Sequence, residues 1–580
     1  MKKIIIPVLL AVATLFSACS ESLLDIERKG VVDVDSFYKT DADAEAALVA
    51  AYQGFLWNIC TKEGGNIYAP IHAVFNLCGD DMYAAGESFG DNDFMGAMNE
   101  FRYDTGSEVV RNAFQNIYYA MYYANLVIDH VKDADSKTKK RCVAEARVLR
   151  AYEHLLLAIG WNCPPRIDHV LAATDLPYNC DKDPENPMTH NELLEWIAKE
   201  CDDAEADLDE RESQTDKKGA VKVTKGFANA VAGKARLFAG DYAGAKASLE
   251  KVIKSDKYKL VPPERYAENF HASGDANEEK IFEANLQTAD GISVWWDIVN
   301  RSTWMEANIW NWRGDHFKVS PSVAYSSIDG WGGCGVPQEF GDEFYANDGD
   351  SPRFKASLIS IEDVVYNLNY PAVVDSKTGK AWADMTLEDK KNCPEIGIDN
   401  RGVYGQSKWL PLKPICTPED LVGPGQNIRV NNFVIMRYAE VLLMYAEACL
   451  QTGDTQGAKD AINLVQKHAG SATISDAVDM EVLEREKKYE LWLEGCRWAD
   501  MVRWGHFDGV KTAGQRVPTL YDAMSKDGES AHRFYTVYSY PAMEIRKTET
   551  GFKAGKHEYF PYPEAETSLN PNLTQNPGWE

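Results

Sequence analysis

One helical hairpin occurs twice in this chain. At 224–255, "TKGFANAVAGKARLFAGDYAGAKASLEKVIKS" runs from an Ala-rich amphipathic stretch through a Gly-Asp break into a second amphipathic stretch containing "GAK". At 437–468 the order returns: an Ala-rich stretch, "QTGD", then a helix from Thr455 that again holds "GAK". Small residues at a helix crossing let two backbones approach closely. A chain that repeats such a unit stacks helices rather than pairing strands. Helical patterns at 41–58, 107–133, 137–161 and 191–210 extend the scheme, with Ser107 and Glu108 suited to a helix start. The expected fold is mostly α, an array of about four helical pairs. The pairs are not contiguous. Between 256 and 430 helical periodicity is lost, and 291–317 and 326–340 read as irregular loops. Loops this long are uncommon unless they serve a function.

The N-terminus, "MKKIIIPVLLAVATLFSACSES", places two lysines before an apolar run from Ile4 to Phe16. That run is too short to span a membrane in a mature protein, and the pattern is that of a signal peptide. Its end, "LFSAC", resembles the lipobox of bacterial lipoproteins, which implies cleavage before Cys19 and lipidation of that residue. Two or three acyl chains anchor a protein stably where one holds it weakly. No other stretch is long and apolar enough to span. Cleavage would remove Lys2 and Lys3 and no acid, taking the net charge from -28 to -30. So acidic a body repels phosphate, which argues against nucleic acid, and against lying flat on anionic lipid. Acidity also simply maintains solubility.

Eleven cysteines besides Cys19 are scattered, with no CxxC and no Cys/His cluster of zinc type. Cys163–Cys180 and Cys393–Cys416 are spaced to close loops, and the sequence selects neither. The length suggests several domains, yet no Pro/Ser/Gly linker interrupts the middle. One integrated unit is expected: signal peptide 1–18, a helical region 19–255, a loop-rich ligand-binding insertion 256–430, and a C-terminal region 431–580.

The paired hairpins resemble the tetratricopeptide repeat. A wider resemblance is carried by "SESLLDIERKGVVDVDSFYKTDADAEAALVAAY", "AEARVLRAYEHLLLAIGWNCPP" (144–165) and "FVIMRYAEVLLMYAEAC" (433–449). "EREKKYELWLEGCRWADMVRWG" (484–505) and "YFPYPEAETSLNPNLTQNPGW" (559–579) complete it. In order and content these resemble the SusD/RagB family of outer-membrane nutrient-binding lipoproteins. The resemblance implies a tetratricopeptide-like scaffold with a loop-rich ligand region. It implies a SusC-like TonB-dependent transporter as partner, outer-membrane lipid as anchor, a glycan or sometimes a peptide as ligand, and no covalent chemistry. Gln466 and Lys467 stand where the family often has Arg, which puts a local ion pair in doubt.

Catalysis needs positioned acids, bases or a metal. Asp80–Asp81 and Asp202–Asp203 are adjacent acids, but 89 acidic residues produce such pairs by chance. A glycosidase needs two carboxylates across a sugar ring, and the spacing in the sequence singles out no such pair. There is no HExxH, GxSxG or phosphate-cradling loop. Sugar binding asks for exposed aromatic rings to stack on pyranose C–H faces, with Asn, Asp, Gln or Arg for the hydroxyls. Residues 295–313 supply Trp295, Trp296, Trp304, Trp310 and Trp312 as a candidate platform, with Asn308 and Arg313 as polar partners. By the resemblance, the stretch at 79–94 adds Asp81, Tyr83 and Asn92. No cofactor is expected. A structural calcium fits the Asp/Asn-rich loops in composition, although no EF-hand pattern occurs. The alternatives to glycan capture are a peptide-binding relative and a tetratricopeptide-type adapter. The dense stretch "LEGCRWADMVRWG" (493–505) reads as scaffold, because Glu494–Arg497 and Asp500–Arg503 are helical i,i+3 partners. Arg353, in "DGDSPRF", also reads as structural.

Overall fold

The computed structural model describes residues 37–56, 71–87, 90–91, 93–131, 134–285, 309–319, 330–399, 403–415, 417–422, 428–429, 431–507, 519–522, 534–537 and 551–580. Ten helices set the architecture. They are α1 Asp41–Phe55, α2 Glu108–His130, α3 Lys137–Trp161, α4 His190–Glu205 and α5 Lys225–Ala239. After them come α6 Tyr242–Lys254, α7 Tyr438–Gln451, α8 Thr455–Ala469, α9 Met480–Glu490 and α10 Arg497–Trp504. The starts follow from side-chain caps. Thr40, Ser136, Thr189, Thr224, Asp241 and Asp454 each accept a backbone N–H of the first turn, which satisfies donors a helix leaves orphaned. Ser107 occupies the cap position of α2 without making that bond.

The helices pack in succession. α2 lies on α1 and α3, α3 on α4, α4 on α5, α5 on α6, α6 on α7 and α7 on α8. Their inward stripes are fully buried Ala, Leu, Val and Ile, among them Ala146, Leu194, Val231, Leu249 and Leu443. Each large aliphatic side chain so buried contributes about 1.5–3 kcal/mol. The hairpins α5–α6 and α7–α8 confirm the repeat, and the array is of the tetratricopeptide kind.

Four strands place the remainder: β1 Tyr83–Ala84, β2 Lys280–Ala284, β3 Cys334–Gly335 and β4 Phe433–Arg437. β2 and β4 pair antiparallel, Lys280 opposite Arg437 and Ala284 opposite Phe433. The chain therefore leaves the helical array along β2 and re-enters it along β4, directly into α7. The described residues between them form an excursion from the scaffold. It is more structured than its sequence suggested. Short helices Gln338–Asp348, Pro352–Ser357 and Ile361–Tyr366 punctuate it, and a second apolar cluster forms around Trp312, Ile361, Val365, Trp382 and Ile398. The C-terminal segment returns to the array. The Trp161 indole N–H donates to the Pro561 carbonyl at 2.9 Å, and Phe560 stacks on Trp498 with centroids 4.8 Å apart.

The helix expected through 493–505 is interrupted. Leu493 and Gly495 take positive φ, and α10 starts only at Arg497. Asp500 pairs with Arg503 at 2.7 Å as expected, but Glu494 turns to Arg437 and Lys413, while Arg497 reaches Asp80. The i,i+3 relation between Glu494 and Arg497 fails because those residues do not share a helix. Arg353 is wholly buried between Asp348, Glu486 and Glu490. At the position expected to hold an Arg by the resemblance, Gln466 donates to Ser475 Oγ and to Glu486 Oε2 at 3.0 and 3.1 Å. The nine cysteines among the described residues are buried free thiols; Cys163 and Cys180 are hydrogen-bonded neighbours. Cys19 and Cys416 lie outside the described residues. No described helix is long and apolar enough to cross a membrane.

Candidate functional site

Described parts of the two stretches singled out in the sequence, 79–87 and 309–313, meet in the fold. β1 pairs antiparallel with β3, Tyr83 opposite Gly335 and Ala84 opposite Cys334. The strip 330–333, "GWGG", lies along 309–312. Gly330, Gly332 and Gly333 donate to the carbonyls of Trp312, Asn311 and Ile309 at 2.7, 2.7 and 2.6 Å. Gly333 in turn accepts from Ala85 N–H at 3.0 Å. Gly332 has φ +70°, and a Cβ there would lie 2.7 Å from Arg313 Cγ. Glycine is therefore required both for the left-handed backbone and for the Arg313 side chain to lie against it. Trp331 is the one bulky side chain in the strip, and it is 41% exposed.

Beside it is a charged cluster. Arg313 donates through Nε and Nη2 to both Asp315 oxygens at 3.0 and 2.9 Å, and its Nη1 lies 3.5 Å from Glu87 Oε2. Asp91 accepts from Glu87 N–H at 2.8 Å and adds its charge to the same guanidinium. Glu87, Asp91, Asp315 and Trp331 are all exposed. An indole face next to fixed carboxylates and a guanidinium is the pairing that a sugar ring, with its apolar face and hydroxyl rim, calls for.

The structure distributes the selected residues unevenly. Arg313 is in the cluster. Trp310 and Trp312 are core residues, 1% and 7% exposed, and the Trp312 indole N–H donates inward to the Pro411 carbonyl at 2.8 Å. Neither offers a stacking face, because Trp310 is packed in the main core and Trp312 in the second apolar cluster. Asp81 and Tyr83 are also inward, each 2% exposed. Trp295, Trp296, Trp304, Asn92 and Asn308 lie outside the described residues. Trp331, Glu87, Asp91 and Asp315 were not singled out from the sequence. The available signal was a tryptophan flanked by glycines in a loop-rich stretch.

Asp81 has the most perturbed acid near the site. Burial, then the Asp80 charge, pushes its carboxyl up to about 7, while the neighbouring Arg497 and Lys488 hold Asp80 down at about 2. Such shifts mark catalytic acids when the group faces a cleft. Here the carboxyl is enclosed, with Oδ2 meeting no hydrogen-bond partner, so it has no route to a substrate. Two groups of side chains have metal-compatible spacing among the described residues: Glu279, His468 and Glu490, and Asp375, Cys393 and Glu395. In the first, Arg437 Nη1 already bridges the Glu279 and Glu490 carboxylates at 2.8 and 2.6 Å. Neither is the oxygen-only shell that calcium takes.

Comparison with known proteins agrees with this architecture. Residues 296–579 match the model of the SusD family. A SusD-like protein of Bacteroides ovatus is 22% identical over 98% of this chain and 97% of its own length. The starch-binding protein SusD of Bacteroides thetaiotaomicron is 25% identical over 73% of this chain and 74% of its own. Among solved structures, surface glycan-binding protein A of Bacteroides thetaiotaomicron, in complex with laminarihexaose, superposes with a TM-score of 0.68. It covers 93% of this chain and 100% of that one at 19% identity. A continuous helical array, a strand-bounded excursion and these matches converge: residues 296–579 match the SusD family, and the chain as a whole has the fold of SusD-like proteins.

Proposed function

We propose that this chain is a non-catalytic, cell-surface glycan-binding lipoprotein. It captures oligosaccharide at the surface around Trp331 and passes it to a SusC-like TonB-dependent transporter, held at the outer membrane by acyl chains on Cys19. The observation that carries the reading is the exposed Trp331 indole beside the Arg313–Asp315–Glu87 cluster, where the two sequence stretches converge. Stacking would supply affinity, and the carboxylates and guanidinium would fix the hydroxyls. Trp295, Trp296, Trp304, Asn92 and Asn308 are the further residues proposed to contact the glycan. The glycan binding of the SusD-like relatives supports the same class of ligand.

Titration calorimetry against a panel of α- and β-glucan oligosaccharides, with peptides as controls, tests the reading. At least one glycan should bind, and Trp331→Ala should weaken it tenfold or more while leaving the melting temperature unchanged. Binding of peptides alone would sink the glycan reading, and undiminished glycan binding by Trp331→Ala would move the site elsewhere.

A further inference from the structure

Nine thiols are buried among the described residues, and two of them, Cys163 and Cys180, touch. Cys163 follows closely on α3, and Cys180 lies in the connection that leads to α4. The backbone brings them together. Cys180 N–H donates to the Pro164 carbonyl at 3.3 Å, and Asn179 Nδ2 donates to the Cys163 carbonyl at 3.4 Å. The Cys180 thiol donates to the Cys163 sulfur. A disulfide closes without backbone movement only where two cysteines already approach in this way.

The pair also differs from other buried thiols in reactivity. Burial pushes the Cys78, Cys142 and Cys201 thiols up. The hydrogen bond from Cys180 moves Cys163 the other way, below the ordinary thiol value. The thiolate is the nucleophile in disulfide chemistry, so Cys163 is the attacking group and Cys180 the resolving one. Position gives the bond a purpose. Residues 163–180 supply Pro165, Ile167, Leu171 and Leu176 to one wall of an open groove of about 750 Å³, whose other walls are α2 and the C-terminal segment. The same connection holds that segment. Asn179 Oδ1 accepts from Thr574 N–H at 2.8 Å, and the Pro177 and Leu176 carbonyls accept from the Asn570 and Asn572 side chains, both at 2.7 Å.

We propose that Cys163 and Cys180 are joined by a disulfide that closes residues 163–180 into a ring and pins the C-terminal segment to the helical array. The oxidant is a small-molecule or protein disulfide. The Cys163 thiolate attacks one of its sulfurs and expels the other as a thiolate. Cys180 gives up its proton and attacks Cys163 Sγ, releasing the second thiolate. The cysteine pair loses two electrons and two protons, and the oxidant leaves as two thiols. None of this depends on which ligand the chain captures.

Oxidised glutathione is the probe, applied to the native full chain and, in parallel, to the chain refolding from urea. Free thiols are then alkylated and the chain is digested with trypsin without reduction. Cleavage after Arg150, Arg166 and Lys182 divides the pair between peptides 151–166 and 167–182. Most chains should yield those two peptides as one linked species that separates on reduction. Oxidation should also slow amide hydrogen exchange across 167–179 and 570–576 at least threefold relative to the reduced chain, and leave α5 and α6 unchanged. Cys163→Ser should abolish both effects. Recovery of the two peptides separately alkylated in both samples would overturn the proposal. So would glutathione retained on Cys163 with Cys180 still alkylated, or a linked species without slowed exchange, which would leave the C-terminal segment unpinned.

Discussion

Asp81 shows how a single carboxyl can cost a fold stability. Its pKa is pushed up to about 7 by burial and by Asp80, against an ordinary value of 3.8. Below pH 4 the acid is neutral in the folded and unfolded chain alike and contributes nothing. As pH rises toward 7 the unfolded chain releases the proton and the folded chain retains it, so stability falls across that window and stays reduced above it. Asp81→Asn removes the charge and keeps the shape. The stability of the variant relative to the parent should therefore rise by about 2–4 kcal/mol between pH 4 and pH 8. Urea unfolding at the two pH values measures this, and an equal difference at both would contradict it. The same residue shows where sequence reading stops. Asp81 and Tyr83 looked like ligands because the family resemblance places ligand contacts in that stretch. The stretch is in fact the one that pairs with β3, which turns both side chains inward. Trp331, flanked by glycines in a stretch read only as an irregular loop, was not singled out, although its ring is 41% exposed. Exposure at this scale depends on which distant strip lies alongside, and neighbours in sequence do not report that.

At the scale of elements the sequence was far more legible. The hairpin α5–α6 and its counterpart α7–α8 were visible because a period of 3.6 and a Gly-Asp turn are local properties. Both turns rest on a glycine with positive φ, +81° at Gly240 and +80° at Gly453, followed by an aspartate that caps the next helix. A Cβ at either glycine would meet nothing within 4 Å. Substitution by alanine is thus a pure test of backbone strain, and each should cost about 1–2 kcal/mol. Chemical denaturation of Gly240→Ala and Gly453→Ala should show similar losses at the two turns. A negligible effect at both would mean that the turns relax away from the left-handed conformation. The hairpins also touch: Lys246 of α6 reaches Asp454, the cap of α8, at 2.6 Å. Sequence similarity identified two copies of the hairpin but not that they are stacked neighbours, since almost two hundred residues intervene. The break at 493–496 was missed for the opposite reason. Its helical pattern is intact, and tertiary ion pairs pull Glu494 out of register.

What joins the array to the excursion is electrostatic and buried. Arg437, at the end of β4, is 0% exposed and holds three carboxylates at once. Nη1 binds Glu279 and Glu490 at 2.8 and 2.6 Å, and Nε binds Glu494 at 2.8 Å. Glu490 passes the link to Arg353 at 2.8 Å, and Arg353 clasps Asp348 with two bonds. Lys413 joins through Glu494. These residues come from before β2, from the excursion, and from β4 through α9, so one network fastens the helical array to the excursion and the C-terminal region. Replacing a whole buried network with apolar groups can be neutral, but removing one partner strands the others without counter-charge and costs about 3–5 kcal/mol. Arg437→Met should impose that loss. Its distribution is the informative part. Far-UV dichroism reports mainly on the helices, while tryptophan fluorescence draws on residues of the excursion such as Trp312, Trp382 and Trp409. If the network makes the molecule one cooperative unit, both signals should shift to lower urea by the same amount and remain coincident. A shift in fluorescence alone, with the helical transition unmoved, would show that the excursion unfolds independently and that Arg437 stabilises only the surface that carries Trp331.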